Sequence, residues 1–204
     1  MKMRLAPLGL LLATLVSLHA APANRTARLE FSPSADQVEI EIDAVSDGGK
    51  ASAAHWAGTD PTQHMVVELP ATTGWRQATI TFHGKKSGRV MFTLMGPYAR
   101  VSPNEKDLHQ IFVAYDDIKV DGSPIKNGDF EATDENGVPS GWRLFDVPSS
   151  LPPITEKNRG GVLTSGASEG QKAVRVWHNS RLSQPLQIEA GKPVTITLSY
   201  RLLD

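Results

Sequence analysis

Along most of this chain the apolar residues return at every second position, and that period constrains the fold more than any other feature. In Val38-Glu39-Ile40-Glu41-Ile42-Asp43-Ala44, the residues Val38, Ile40, Ile42 and Ala44 share one face while the carboxylates share the other. This is the pattern of a strand with one buried and one wet face. The same alternation runs through 65–69, 77–82, 89–94, 111–120, 173–177, 186–188 and 194–200. Turn-forming pairs separate the runs, among them His83-Gly84, Asp121-Gly122, Asn127-Gly128, Asn136-Gly137 and Ala190-Gly191. Beyond the N-terminal leader no comparable stretch carries the 3.6-residue period of a helix. The reading is all-β, most simply a sandwich of two sheets. Irregular stretches at 46–63, 97–110 and 148–170 are where binding loops are expected.

The N-terminus follows a different rule. Met1-Lys2-Met3-Arg4 is a short cationic start, an apolar run extends from Leu5 to Leu18, and small residues follow at Ala20, Ala21 and Ala23. That order reads as a cleaved secretory signal peptide over 1–23. Its apolar run is shorter than the ~20 residues of a membrane-spanning helix. The expected localisation is therefore secreted or periplasmic, with no spanning segment. Removing Lys2 and Arg4 leaves 19 basic against 22 acidic residues, a mildly acidic chain with no general pull toward nucleic acid or anionic lipid. The sequence has no cysteine, so disulfides, Cys-bound zinc and thiol catalysis are ruled out and a conventional core must hold the fold. The remaining stretch, 24–204, is long enough for one such core or for two small ones.

Two segments are more specific. Asn127-Gly128-Asp129-Phe130-Glu131 is followed by Ser140-Gly141-Trp142, by Gly170-Gln171-Lys172-Ala173-Val174, and by Val194-Thr195-Ile196-Thr197-Leu198-Ser199-Tyr200. This order resembles the opening half of carbohydrate-binding modules of the CenC type, families 4 and 9, which are jelly-roll sandwiches of the galactose-binding-like class. Gly74-Trp75, the run Ala78-Thr79-Ile80-Thr81-Phe82, and Tyr115-Asp116-Asp117-Ile118 resemble the closing half of the same modules. Here the closing half, 27–121, precedes the opening half, 127–204. The chain is then either one circularly permuted jelly-roll domain over 24–204 or a pair of truncated modules. Physics favours the permutation, because the first and last strands of such a sandwich are neighbours that the short 120–127 connection can join as an antiparallel pair. Two half-modules would each leave apolar faces and sheet edges uncovered.

Candidate sites follow from both readings. Asp116, Asp117, Asp129 and Glu131 can offer oxygens to a hard cation such as Ca²⁺, which takes six to eight; the plainer reading of Asp116 and Asp129 is a solvated strand end and turn. The resemblance implies a structural Ca²⁺ on Glu131 and Asp117, with Asp116 the alternative. It also places Trp75 and Trp142 in the core. Trp56, Trp177 with His178, and Tyr98 with Arg100 are the candidates for an exposed ring beside polar donors, the arrangement that grips a sugar. Each has a plainer reading as a loop anchor. The expected function is a non-catalytic module binding a polysaccharide or glycan. Two alternatives stand beside it: an envelope structural or adhesion domain with a protein partner, and a small polysaccharide-active enzyme. The histidines are scattered, and the chain lacks H-E-x-x-H and G-x-S-x-G. A paired-carboxylate glycosidase stays open, since its two acids can lie far apart in sequence.

Overall fold

A computed structural model describes residues 25–33, 39–55, 63–148 and 152–203. Among them there is no helix, and none is long and apolar enough to cross a membrane. The strands, numbered in chain order, form two six-stranded sheets. The front sheet runs β3 (Lys50–His55), β4 (Gln63–Pro70), β1 (Thr26–Pro33), β6 (Gly88–Met95), β11 (Ser180–Ile188), β8 (Arg143–Asp146). The back sheet runs β2 (Ile40–Val45), β5 (Arg76–Gly84), β12 (Val194–Leu202), β7 (Val113–Asp121), β10 (Ala173–Val176), β9 (Gly161–Leu163). All neighbouring strands pair antiparallel. The chain is thus an all-β sandwich, consistent with a jelly roll.

The two-residue period explains the layers. In β5, Ala78, Ile80 and Phe82 are buried while Thr79 and Thr81 stay half-exposed between them. Thr79 and Thr81 face Thr197 and Thr195 of β12 as cross-strand pairs. Between the sheets, the Phe31 ring lies 5.0 Å from Phe82 and 5.4 Å from Phe92. Neither half of the sequence has a sheet of its own: β12 sits between β5 and β7, and β11 between β6 and β8. One cluster of buried residues takes Leu29 and Phe92 from the first half and Leu182 and Ile196 from the second. Tyr200 of β12 ties the halves further, donating its hydroxyl proton to the Asp47 carboxylate and to the carbonyl of Pro70.

The period breaks at two register slips. In β2 the register against β5 slips between Ile42 and Ala44, so Ala44, expected inward, is exposed and Val45 packs on the core. The second break lies in β7. Val113 and Tyr115 of β7 point inward, and strict alternation would send Asp117 after them. Instead Asp117 adopts a φ of 47° and the register against β12 slips between Thr197 and Ser199. Ile118 joins the core, with Val120 packed against it. This is a bulge, with one extra residue and a changed facing, and it keeps a carboxylate out of the core. The connection beyond β7 returns as expected, with the Ile118 amide donating to the Gly128 carbonyl at 2.9 Å. The segment 127–130 is a turn, however, and does not form the expected paired strand. Asn127 organises it: its side chain bonds the amide and carbonyl of Ala132, and its carbonyl accepts the Trp142 indole N–H at 3.1 Å. Phe130 and Trp142 then pack with ring centroids 5.3 Å apart. The N-G-x-F-E and G-W signals are therefore parts of one local unit.

Strands β1, β3, β8 and β9 lie outside the alternating runs named from sequence. Two of them fall in stretches read as irregular, β3 in 46–63 and β9 in 148–170. Lys50-Ala51-Ser52-Ala53-Ala54 has no large apolar residue to show a period, and β9 has only three residues.

Candidate functional site

The wet face of the front sheet is unusually rich in chemistry. Register places Ser52, Val66, Glu30, Thr93, Ser183 and Arg143 in one row across all six strands. At ~4.8 Å per strand such a row is roughly 24 Å long, enough for an oligosaccharide chain. One step along the strands, Glu68 and Arg28 face each other as an ion pair at 3.1 Å. In the same step the guanidinium of Arg181 lies 5.1 Å from the centre of the Phe145 ring, its partner across β11 and β8. One step the other way, Ser32 donates to Glu30 at 2.7 Å and sits 2.7 Å from Nδ1 of His64.

These groups line a cleft of about 230 Å³ that includes Glu30, Ser32, Thr93, Ser183, Arg181 and Phe145. Phe145 is 42% exposed, whereas Glu30, Thr93, Arg181 and Ser183 are each buried below a tenth. A buried polar floor beside an open ring offers hydrogen bonds to hydroxyls and a flat apolar surface to C–H groups. Burial works against the charge of Arg181, and the Glu30 carboxylate supports it. Arg143, exposed on β8, also lines a second cavity of about 640 Å³, to which Trp142, Leu144, Val162, Arg159 and Arg175 contribute.

The aromatics chosen from sequence are distributed differently. Trp177 is fully buried, so the expectation of an exposed stacking ring at this position does not hold; the ring is an anchor in the turn after β10. Trp56 lies outside the described residues. Tyr98 and His178 do come together, with ring centroids 5.1 Å apart and both half-buried. Burial, with a smaller push from Arg28 and Arg181, pulls the His178 imidazole down to about 4, partly offset by Asn179. Arg100 is exposed in a tongue closed by an Arg100–Leu108 bridge, and Asn179 docks this tongue by donating to the Lys106 carbonyl at 2.9 Å. Of the tryptophans expected in the core, Trp142 is buried. Trp75 is only half-buried; the Arg201 guanidinium lies 5.1 Å from its ring centre, and both side chains donate to the Gly166 carbonyl.

The three carboxylates read for calcium each hold other partners. Asp116, 1% exposed, accepts the amides of Asp117, Ser168 and Glu169 at 2.7, 2.7 and 3.0 Å. Burial raises its carboxyl pKa, and those amides oppose the shift. Glu131 accepts the amides of Gln171 and Lys172 at 2.6 and 2.9 Å, which lower its pKa. Asp117 pairs with Lys119 at 2.9 Å. Lys172 donates its ammonium to the Glu131 carbonyl at 2.7 Å. Among the described residues no three His, Cys, Asp or Glu side chains gather as a metal site. As placed, the donor set suits a clamp on the 166–172 loop.

Sequence reasoning passed over Arg143, Phe145, Arg181, Thr93 and Ser183. Parity was a clear signal only for Thr93, between Phe92 and Leu94 on β6; on β8 and β11 the inward phase also carries Asp146, Ser180 and Gln184, which blurs it. Compared with known proteins, the chain matches no family model, no curated protein and no solved structure. What fold and face define is a class, an antiparallel β-sandwich with a polar, arginine-bearing cleft on the outside of one sheet.

Proposed function

We propose that the protein is an exported, non-catalytic glycan-binding domain whose ligand lies across the wet face of the front sheet. The observation that carries this is the exposed Phe145 ring, held by Arg181 beside Thr93, Ser183 and Ser32. An aromatic face next to several hydroxyls and a guanidinium is what a sugar ring engages. Tyr98, Arg100 and His178, the loop residues expected to contact a sugar, line neither the cleft nor the edge cavity. The resemblance to CenC-type modules supports it, and within it the rotated order of the two halves is a circular permutation. A calcium at Glu131 and Asp117, which the resemblance implies, would share those carboxylates with the amides of Gln171 and Lys172 and with the Lys119 ammonium.

Affinity electrophoresis against a panel of neutral and acidic polysaccharides tests the proposal. The unmodified protein is retarded by at least one polymer, and Phe145→Ala weakens that retardation by about 5- to 30-fold, a loss of roughly 1–2 kcal/mol. No retardation by any polymer shifts the reading to a protein-contacting envelope domain. Loss of polymer with time points to an enzyme.

A further inference from the structure

Three of the arginines among the described residues form ion pairs with a carboxylate. Arg28 pairs with Glu68, Arg76 with Asp47, and Arg159 with Asp146 at 2.7 Å. Arg181 has the field of Glu30 beside it. Arg143, like Arg25, Arg89 and Arg100, has no ion pair and no hydrogen-bond partner for its guanidinium among the described residues, and of these four it is the one that lines both the cleft and the larger edge cavity. Its cross-strand neighbour is Ser183, which carries no charge.

The other charged groups around the two cavities strengthen the point. Arg175, on β10, donates to the Lys157 carbonyl at 3.0 Å, and its guanidinium lies 5.0 Å from the Phe112 ring centre. No carboxylate pairs with it among the described residues. The acids present are already engaged. Glu30 accepts from Ser32, Asp134 accepts the amides of Asn136 and Val138 at 2.9 Å each, and Glu156 lies 3.7 Å from Arg159. Four arginines line the two cavities against three carboxylates, and of the four Arg143 and Arg175 are the two with no carboxylate beside them. Below it lie Trp142, buried, and Leu144 and Val162, half-buried. A guanidinium beside apolar surface forms stronger bonds to an oxyanion than one in open water, and its planar fork fits a carboxylate or sulfate with two parallel bonds.

We propose that Arg143 makes this face selective for polysaccharides bearing negatively charged sugar residues, the oxyanion sitting on its guanidinium where the cleft meets the edge cavity. This rests on the glycan-binding reading and narrows it to acidic polymers. A neutral sugar leaves Arg143 hydrated and gains nothing from it. An acidic sugar supplies the counter-charge that the protein does not.

The test is affinity electrophoresis of the whole protein in gels containing polygalacturonate or alginate as carboxylated polymers, dextran sulfate as a sulfated one, and barley β-glucan as a neutral one. At least one acidic polymer is expected to retard the protein, and Arg143→Met to weaken that retardation roughly tenfold or more. Arg143→Lys should retain part of the binding, since it keeps the charge and loses the fork. Lys192→Met, which removes a charge in the turn after β11, should leave retardation unchanged and so control for general electrostatics. Added NaCl should weaken the unmodified protein more than Arg143→Met. The carboxylated and sulfated arms identify the oxyanion. Retardation by the β-glucan alone, an unaffected Arg143→Met, or an equal loss in Lys192→Met overturns the selectivity and leaves glycan binding standing. Retardation by nothing overturns both. Far-UV circular dichroism and the thermal midpoint of each variant separate lost binding from lost folding.

Discussion

Replacing Tyr200 with Phe removes one oxygen and leaves the buried ring in the core. That oxygen belongs to the second half of the sequence, and its partners, the Asp47 carboxylate and the Pro70 carbonyl, belong to the first. The carboxylate keeps its bonds to Arg76, and Pro70 is exposed, so both partners retain other means of solvation. The expected cost is therefore that of one hydrogen bond to a charged group, about 2 kcal/mol. For a chain of this size each kcal/mol moves the melting midpoint by roughly 2–4 °C, giving a drop of about 4–8 °C. Thermal unfolding followed by tryptophan fluorescence and far-UV circular dichroism measures it. Because β12 is paired on both sides by strands of the first half, both probes should report a single transition that moves as a unit. A change under about 1 °C would refute the hydrogen-bond argument. Two transitions, with only one displaced, would refute the shared core. The bond to Arg76 lowers the Asp47 pKa, with a smaller contribution from Tyr200. Asp47 therefore stabilises the fold above its unfolded pKa near ~3.9, and that contribution disappears as pH falls through the lower folded value.

Three further outcomes follow from named groups. The His178 imidazole titrates at about 4 in the fold against 6.5 when free, so the unfolded chain binds the extra proton between those values. Stability is then lost as pH falls from 6.5 toward 4, by about 3 kcal/mol in all; urea midpoints across this range should show the slope, and His178→Gln should flatten it. Gly128→Ala would bring a Cβ to 2.0 Å from the Ile118 carbonyl oxygen, so this substitution should lower the melting midpoint by at least about 5 °C, and an unchanged midpoint would contradict the packing at the 118–128 contact. Calcium in excess should leave the melting midpoint unchanged, since Glu131, Asp116 and Asp117 already hold amides and a lysine. A rise that EDTA reverses would assign a cation to them.

The sheets were legible in strands such as β5 and β12, where large inward residues alternate cleanly, but not in β1, although Leu29 and Phe31 face the core there too. Ile80 and Phe82, or Ile196 and Leu198, announce a strand through side chains that only a core accommodates. Strand β3 stayed hidden because alanine and serine give no contrast between faces. The β7 bulge stayed hidden because a register slip leaves no mark on the hydrophobic pattern except an aspartate in the wrong phase. The site was harder to read for a related reason. Conspicuous aromatics in loops drew the expectation toward Trp177, which the fold uses as a buried anchor. The candidate side chains of the front sheet are ordinary outward residues, Arg143 and Phe145 on β8 and Arg181 and Ser183 on β11. They become a site only when pairing sets them side by side. Asp116 and Glu131, read from sequence for calcium, accept backbone amides of a loop some 40–50 residues further along the chain, and Asp116, whose plainer reading was a solvated strand end, is buried.

The most direct measurement is a titration of the ¹⁵N-labelled protein with oligosaccharide fragments of whichever polymer retards it, followed amide by amide. If the front sheet is the binding face, the shifted amides cluster at Thr93, Arg143, Phe145, Arg181 and Ser183, and Phe145→Ala moves the titration to about 5- to 30-fold higher ligand concentration. Shifts confined to the 166–172 loop or to the wet face of the back sheet, with the front sheet silent, would contradict it.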